Sequence, residues 1–130
     1  MKEGAAHFSL NRIGQISINV HDVKKATAFY RDTLGMKFLF EAPNLAFFDC
    51  SGVRLMLGPP EKPEFDHPGS ILYYRVEDIQ AAHDVLASRG AQFEGKPHVV
   101  ARLPDHDLWM AFLRDPDNNL LALMSEVRRA

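Results

Sequence analysis

In the segment Arg12–Val20 (RIGQISINV), Ile13, Ile16, Ile18 and Val20 stand among polar residues, and this β-branched pattern predicts a strand. Asp22 follows as a helix N-cap. Val23, Ala26, Phe29, Tyr30 and Leu34 then recur at spacings of three and four, which lines one face of a helix that Gly35 ends. Three further strands are expected over Met36–Glu41, Leu45–Cys50 and Val53–Leu57, parted by the turn signals Pro43-Asn44 and Ser51-Gly52.

The stretch Gly58–Gly69 (GPPEKPEFDHPG) carries four prolines and breaks the pattern as a linker or lid. The same order then returns. Ser70–Val76 reads as a strand, Asp78 caps a helix with the face Ile79, Ala82, Val85 and Leu86, and Gly90 stops it. Strands are expected over Ala91–Val100, Asp107–Arg114 and Asn119–Val127, with Asp115-Pro116-Asp117-Asn118 turning between the last two. Val20-His21-Asp22-Val23 matches Val76-Glu77-Asp78-Ile79 at an offset of 56, and Val53–Met56 matches Leu120–Leu123 at an offset of 67. Self-similarity of this kind predicts a duplicated unit. The expected organisation is one domain over 1–130, with a first module over 9–58, a linker over 59–69 and a second module over 70–127.

Composition narrows the class of partner. The chain is 46% hydrophobic and 25% charged with net charge −2, which predicts a packed domain and removes the clustered positive footprint that nucleic-acid binding needs. Its longest apolar run, Leu108–Leu113, falls far short of the ~18 residues that span a bilayer. A lone cysteine, Cys50, permits no internal disulfide and points to a cytoplasmic setting.

The pattern V-x-D-x-x-x-x-x-x-F-Y-x-x-x-L-G at Val20–Gly35, with D-P-D-N-N at Asp115–Asn119, resembles the vicinal oxygen chelate superfamily, the glyoxalase, bleomycin-resistance and extradiol-dioxygenase group. The resemblance implies an α+β fold of two tandem βαβββ modules whose curved mixed sheets form a cleft, often in a homodimer. It also implies four inward positions that hold a divalent ion in metal-dependent members, here Gln15, Leu55, Ile71 and Ala122. Leucine, isoleucine and alanine offer no donor atom, so no metal site and no cofactor are expected; a divalent metal at an atypical site is the alternative.

The remaining candidates follow from side-chain chemistry. His98 and His106 lie in or beside loops rich in aspartate, and histidine titrating near neutrality suits proton transfer. Gln15, Leu55, Ile71, Tyr73, Trp109 and Ala122 are expected to line the cleft, with the two histidines at its mouth. The expected function is sequestration of a small hydrophobic or aromatic organic molecule. The alternative is a metal-dependent or histidine-assisted lyase, isomerase or dioxygenase of the same superfamily. Expected partners are that molecule and a second copy of the chain, not nucleic acid or membrane.

Overall fold

The computed structural model describes residues 9–129. Strand β1 (Gln15–Asn19) leads through Asp22, whose carboxylate accepts the Lys25 N–H at 3.1 Å, into helix α1 (Val23–Ala28). α1 runs on as a π-helical turn, Phe29–Thr33, closed by the Leu34 N–H on the Phe29 carbonyl at 2.9 Å. Strands β2 (Lys37–Ala42), β3 (Leu45–Cys50) and β4 (Val53–Gly58) complete a four-stranded sheet of order β1-β4-β3-β2, in which β1 and β4 are parallel. Asn44 (φ 59°) and Ser51-Gly52 (φ 50° and 92°) make its two tight turns from left-handed backbone.

The expected linker contains a 3-10 turn, Pro63–Phe65. Beyond it, β5 (Leu72–Arg75), α2 (Ile79–Ser88, capped by Asp78), β6 (Gln92–Phe93), β7 (His98–Arg102), β8 (His106–Arg114) and β9 (Leu120–Arg128) form the second sheet. Its order is β5-β9-β8, with β6 and β7 both along the outer edge of β8. The strand expected over Ala91–Val100 is therefore broken in two. Past Glu94, whose N–H still donates to the Phe112 carbonyl at 2.8 Å, Gly95-Lys96-Pro97 lifts off the ladder, and Pro97 has no N–H to give it. The fold is the expected α+β arrangement of tandem modules.

Each sheet is covered on one face by its own helix. Tyr30 of the first helical layer packs with Val20, Ala46, Phe48, Leu55 and Leu57; Ile79 and Leu86 of α2 pack with Ala111, Leu113, Leu121 and Leu123. Burying a large apolar side chain contributes about 1.5–3 kcal/mol, so these two clusters carry the stability. Phe29 and Leu34 pack against both, which joins the clusters into one core. No helix among the described residues is long and apolar enough to cross a membrane.

A polar joint backs this apolar one. Asp115, buried, accepts the Tyr30 hydroxyl at 2.9 Å, the Asn119 side-chain amide at 2.9 Å, and the backbone N–H groups of Asp117 and Asn119 at 2.9 and 2.8 Å. Asn119 also donates to the Asn19 carbonyl at 3.0 Å, and Asp117 accepts the His21 N–H at 2.8 Å. The last hairpin of the second module thus grips the first module at the exit of β1.

Candidate functional site

Because side chains alternate along a strand, covering one face of each sheet leaves the opposite face for a ligand. In the first sheet Ile16, Ile18, Leu55 and Phe48 point to the helix, so Gln15, Ser17, Arg54, Met56 and Phe47 share the other face. There the Arg54 Nε donates to Gln15 Oε1 at 2.8 Å, and Gln15 Nε2 lies 3.8 Å from Met56 Sδ. The Arg54 guanidinium sits 5.2 Å from the Phe47 ring centroid, and Phe47 stacks on Phe40 at 4.6 Å.

In the second sheet Leu121, Leu123, Leu113 and Tyr74 face α2, which leaves Ile71, Tyr73, Ala122, Met124, Met110 and Phe112 on the open side. Phe112, Ala122 and Tyr73 are cross-strand neighbours, and the two rings meet edge to face at 6.1 Å. Ala122, at 0% exposure, is the short residue between them, and its single methyl lets the rings close over it. Tyr73 itself is 42% exposed and Ile71 40%.

Two expected cleft residues are misplaced by the sequence reading. Leu55, 1% exposed, belongs to the core under α1. Trp109 packs against the core under α2 with Ala111 and Leu113, because the alternation on β8 presents Met110 and Phe112 to the other side. The error at Leu55 comes from the repeat offset. Ile16 pairs with Leu55 and Leu72 with Leu121, so β4 and β9 are 66 residues apart, not 67. Phe48 pairs with Leu55 and Leu113 with Leu121, so β3 and β8 are 65 apart. The turn Pro116-Asp117-Asn118 is one residue longer than Ser51-Gly52, which accounts for the slip. The counterpart of Ala122 is Met56.

The four inward positions are then Gln15, Met56, Ile71 and Ala122. They present one amide, one thioether and two hydrocarbon side chains, a donor set that does not fit the hard or borderline divalent cations of the metal-dependent pattern. Among the described residues no cluster of three or more His, Cys, Asp or Glu could hold a metal ion.

His98 and His106 both reach the open face of the second sheet but do not share a site. His98 stands opposite Met110, four residues along β8 from His106, or roughly 13 Å at strand rise. His98 Nδ1 lies 3.0 Å from the Lys96 carbonyl, which can only accept, so the proton sits on Nδ1 and Nε2 is left as an acceptor. The His106 Nδ1 meets Asp105 Oδ1 at 2.7 Å. Its Nε2 is buried without a hydrogen-bond partner among the described residues, 4.0 Å from Glu126 Oε2, which already accepts Arg75 Nη2 at 3.5 Å.

Between the facing edges of β1 and β5 lies a groove of about 830 Å³. Ser17, Asn19, Ile71 and Leu120 are among its walls, with His21 and Asp66 at its end. The linker closes that end: Asn19 Nδ2 donates to the Phe65 carbonyl at 2.7 Å, and His21 Nε2 meets Asp66 Oδ2 at 3.1 Å. The Asp66 carboxylate, and behind it Asp117, hold the His21 pKa above its ordinary value. A second cavity of about 400 Å³ lies on the helix side, walled by hydrocarbon from Leu34, Met36, Val85 and Leu123. The Tyr74 hydroxyl there is buried without a hydrogen-bond partner among the described residues, and burial pushes its pKa up.

The lining expected from the sequence does not include Met56 or Phe112, and Arg54 and His21 are not among its site residues. Alternation counted from the core-facing Ile16 and Leu113 would have found the first two; the His21 pairings cross 45 and 96 residues and leave no local signal.

Comparison with known proteins matches this geometry. The profile of the Glyoxalase/Bleomycin resistance protein/Dioxygenase superfamily matches residues 12–123. An uncharacterized protein of Bacillus subtilis (strain 168), YraH, is 31% identical over 126 residues, covering 84% of this chain and 94% of its own. A superfamily member from Sphaerobacter thermophilus superposes with a TM-score of 0.72 at 26% identity, over 90% of this chain and 98% of that one. TnmS3, an antibiotic binding protein from Streptomyces sp. CB03234, superposes with a TM-score of 0.73 at 26% identity, over 92% of this chain and 99% of that one.

Proposed function

Because the chain belongs to the Glyoxalase/Bleomycin resistance protein/Dioxygenase superfamily, we propose that it binds a small hydrophobic or aromatic organic molecule on the open sheet faces, without a metal ion. The observation that carries this reading is the Tyr73–Phe112 pair closed over Ala122: an aromatic surface, partly exposed, where metal-dependent relatives need a donor. Aromatic and apolar walls with a few placed polar groups are the usual make-up of a small-molecule site. Gln15, fixed between Arg54 and Met56, is such a polar group. The likeness to an antibiotic binding protein supports sequestration.

The working unit in this reading is a homodimer. Phe40, Ile71 and Tyr73 are apolar and 48%, 40% and 42% exposed in the single chain, and a second copy would enclose them around the ligand.

The test has two parts. Protein purified without chelator is incubated with Mn, Fe, Ni or Zn ions, desalted and assayed for metal, and binding of flat aromatic compounds is followed by changes at Tyr73. Metal-free protein that binds such a compound stoichiometrically and unchanged is the expected result. About one tightly held metal per chain would sink the reading.

One observation favours the enzymatic alternative: His106, oriented by Asp105 with Nε2 left free near Glu126, is arranged as a proton carrier. Turnover of any bound compound that His106→Ala abolishes, with binding retained, decides for it.

A further inference from the structure

We infer that the ligand is an organic anion, an aromatic carboxylate or a similar acid, held by Arg54 on the face of the first sheet. This inference rests on the binding reading above and names the ligand class of that site.

Arg54 stands on β4, flanked on both sides, by β1 through Gln15 and by β3 through Asp49, so it lies on an inner strand beside the β3–β4 turn. The strand arginines Arg75, Arg102, Arg114 and Arg128 each meet a carboxylate within 4.0 Å, from Glu126, Asp107, Glu94 and Asp105. Arg54 meets none among the described residues. The nearest candidate by register, Asp49, spends its Oδ1 on the Gly52 N–H at 3.1 Å, closing the β3–β4 turn.

What holds Arg54 is neutral. Its Nε donates to Gln15 Oε1 and its plane lies by the Phe47 ring, which fixes the guanidinium while its two terminal amino groups keep no partner among the described residues. A fixed fork with free parallel donors matches a carboxylate, phosphonate or sulfonate bidentately. The neighbouring groups explain why the anion should also be aromatic. The next row along the sheet is Phe40, Phe47 and Met56, an apolar strip on which a ring can lie while its acid group reaches Arg54. An exposed ion pair alone is weak, and a ring that displaces water around the fork makes it stronger.

The experiment titrates the chain with 1-naphthaleneacetate, its neutral amide 1-naphthaleneacetamide, and inorganic phosphate, reading dissociation constants and contact residues by NMR. The acid is expected to bind at least tenfold tighter than the amide at low ionic strength, and phosphate more weakly than the acid. Arg54→Gln should bring acid and amide within twofold, and Arg54→Lys should keep part of the gap; thermal melts check that both variants fold. Acid and amide binding equally, with Arg54→Gln without effect, would overturn the anion inference while shifts at Tyr73 and Phe112 leave the binding reading standing. Phosphate binding as tightly as the acid would overturn the aromatic part. If no compound perturbs either sheet face, both readings fall together.

Discussion

The Tyr30 hydroxyl donates a 2.9 Å hydrogen bond to the Asp115 carboxylate, linking α1's π-helical extension to the last hairpin across 85 residues of sequence. Tyr30 has no exposed surface, and burial, followed by the charge on Asp115, drives its pKa far above the usual tyrosine value. Asp115 is buried too, so its charge is held by donors alone: one phenol, one side-chain amide and two backbone N–H groups.

Tyr30→Phe removes one of these donors and should cost about 1–3 kcal/mol, the range for leaving a buried polar group short of a partner. Asp115→Ala strands all four donors and should cost more. Urea denaturation of both variants measures this, and equal small losses would show the joint to be dispensable.

Leu55→Ala empties a site in the core and should cost about 2–5 kcal/mol. Met56→Ala, one residue on, faces the other way and should leave stability nearly unchanged while weakening aromatic ligands. The reverse pattern in denaturation and binding would mean that the alternation on β4 is inverted.

Ala122→Leu should force Tyr73 and Phe112 apart, at an overpacking cost of about 1–3 kcal/mol. Aromatic probes that bind the parent chain should no longer bind. Calorimetric titration checks this, and unchanged affinity would move the site off the second sheet.

The His21–Asp66 pair latches the linker, and its pH dependence has a definite sign. His21 has a raised pKa in the folded chain, so its contribution is complete below the ordinary histidine value of about 6.5 and is lost as pH rises through the raised value. An NMR titration should show His21 titrating above the ordinary value, and order at Phe65–His67 should fall over the same window. In Asp66→Asn the His21 value should drop. A titration unaffected by that substitution would assign the raised value to Asp117.

The fold was legible in the chain because its signals are local: Asp22 and Asp78 cap their helices as the pattern predicts, and Asn44, Ser51 and Gly52 turn where expected. The site was legible in part. The resemblance put Gln15, Ile71 and Ala122 at inward positions, and these lie on the open faces with Tyr73, while Leu55 and Trp109 do not. A one-residue difference between two turns reverses the facing of a strand, and the repeat was aligned through chemically similar leucines that do not register it. The joint at Asp115 was read as turn chemistry, since the Tyr30 that makes it structural lies in the other module.

β1 pairs with β4 alone and β5 with β9 alone among the described strands, so no backbone ladder crosses the seam between the two sheets. Their mutual angle is set by side chains, Phe29 and Leu34 packed against both clusters and the hydrogen bonds around Asp115, in the manner of a clasp. A change in that angle breaks no strand pair, but it must repack Phe29 and Leu34 between the two clusters. For a flat guest of the kind proposed, this joint would set the thickness the sheets can accept, leaving further selectivity to the few polar groups that the guest must satisfy.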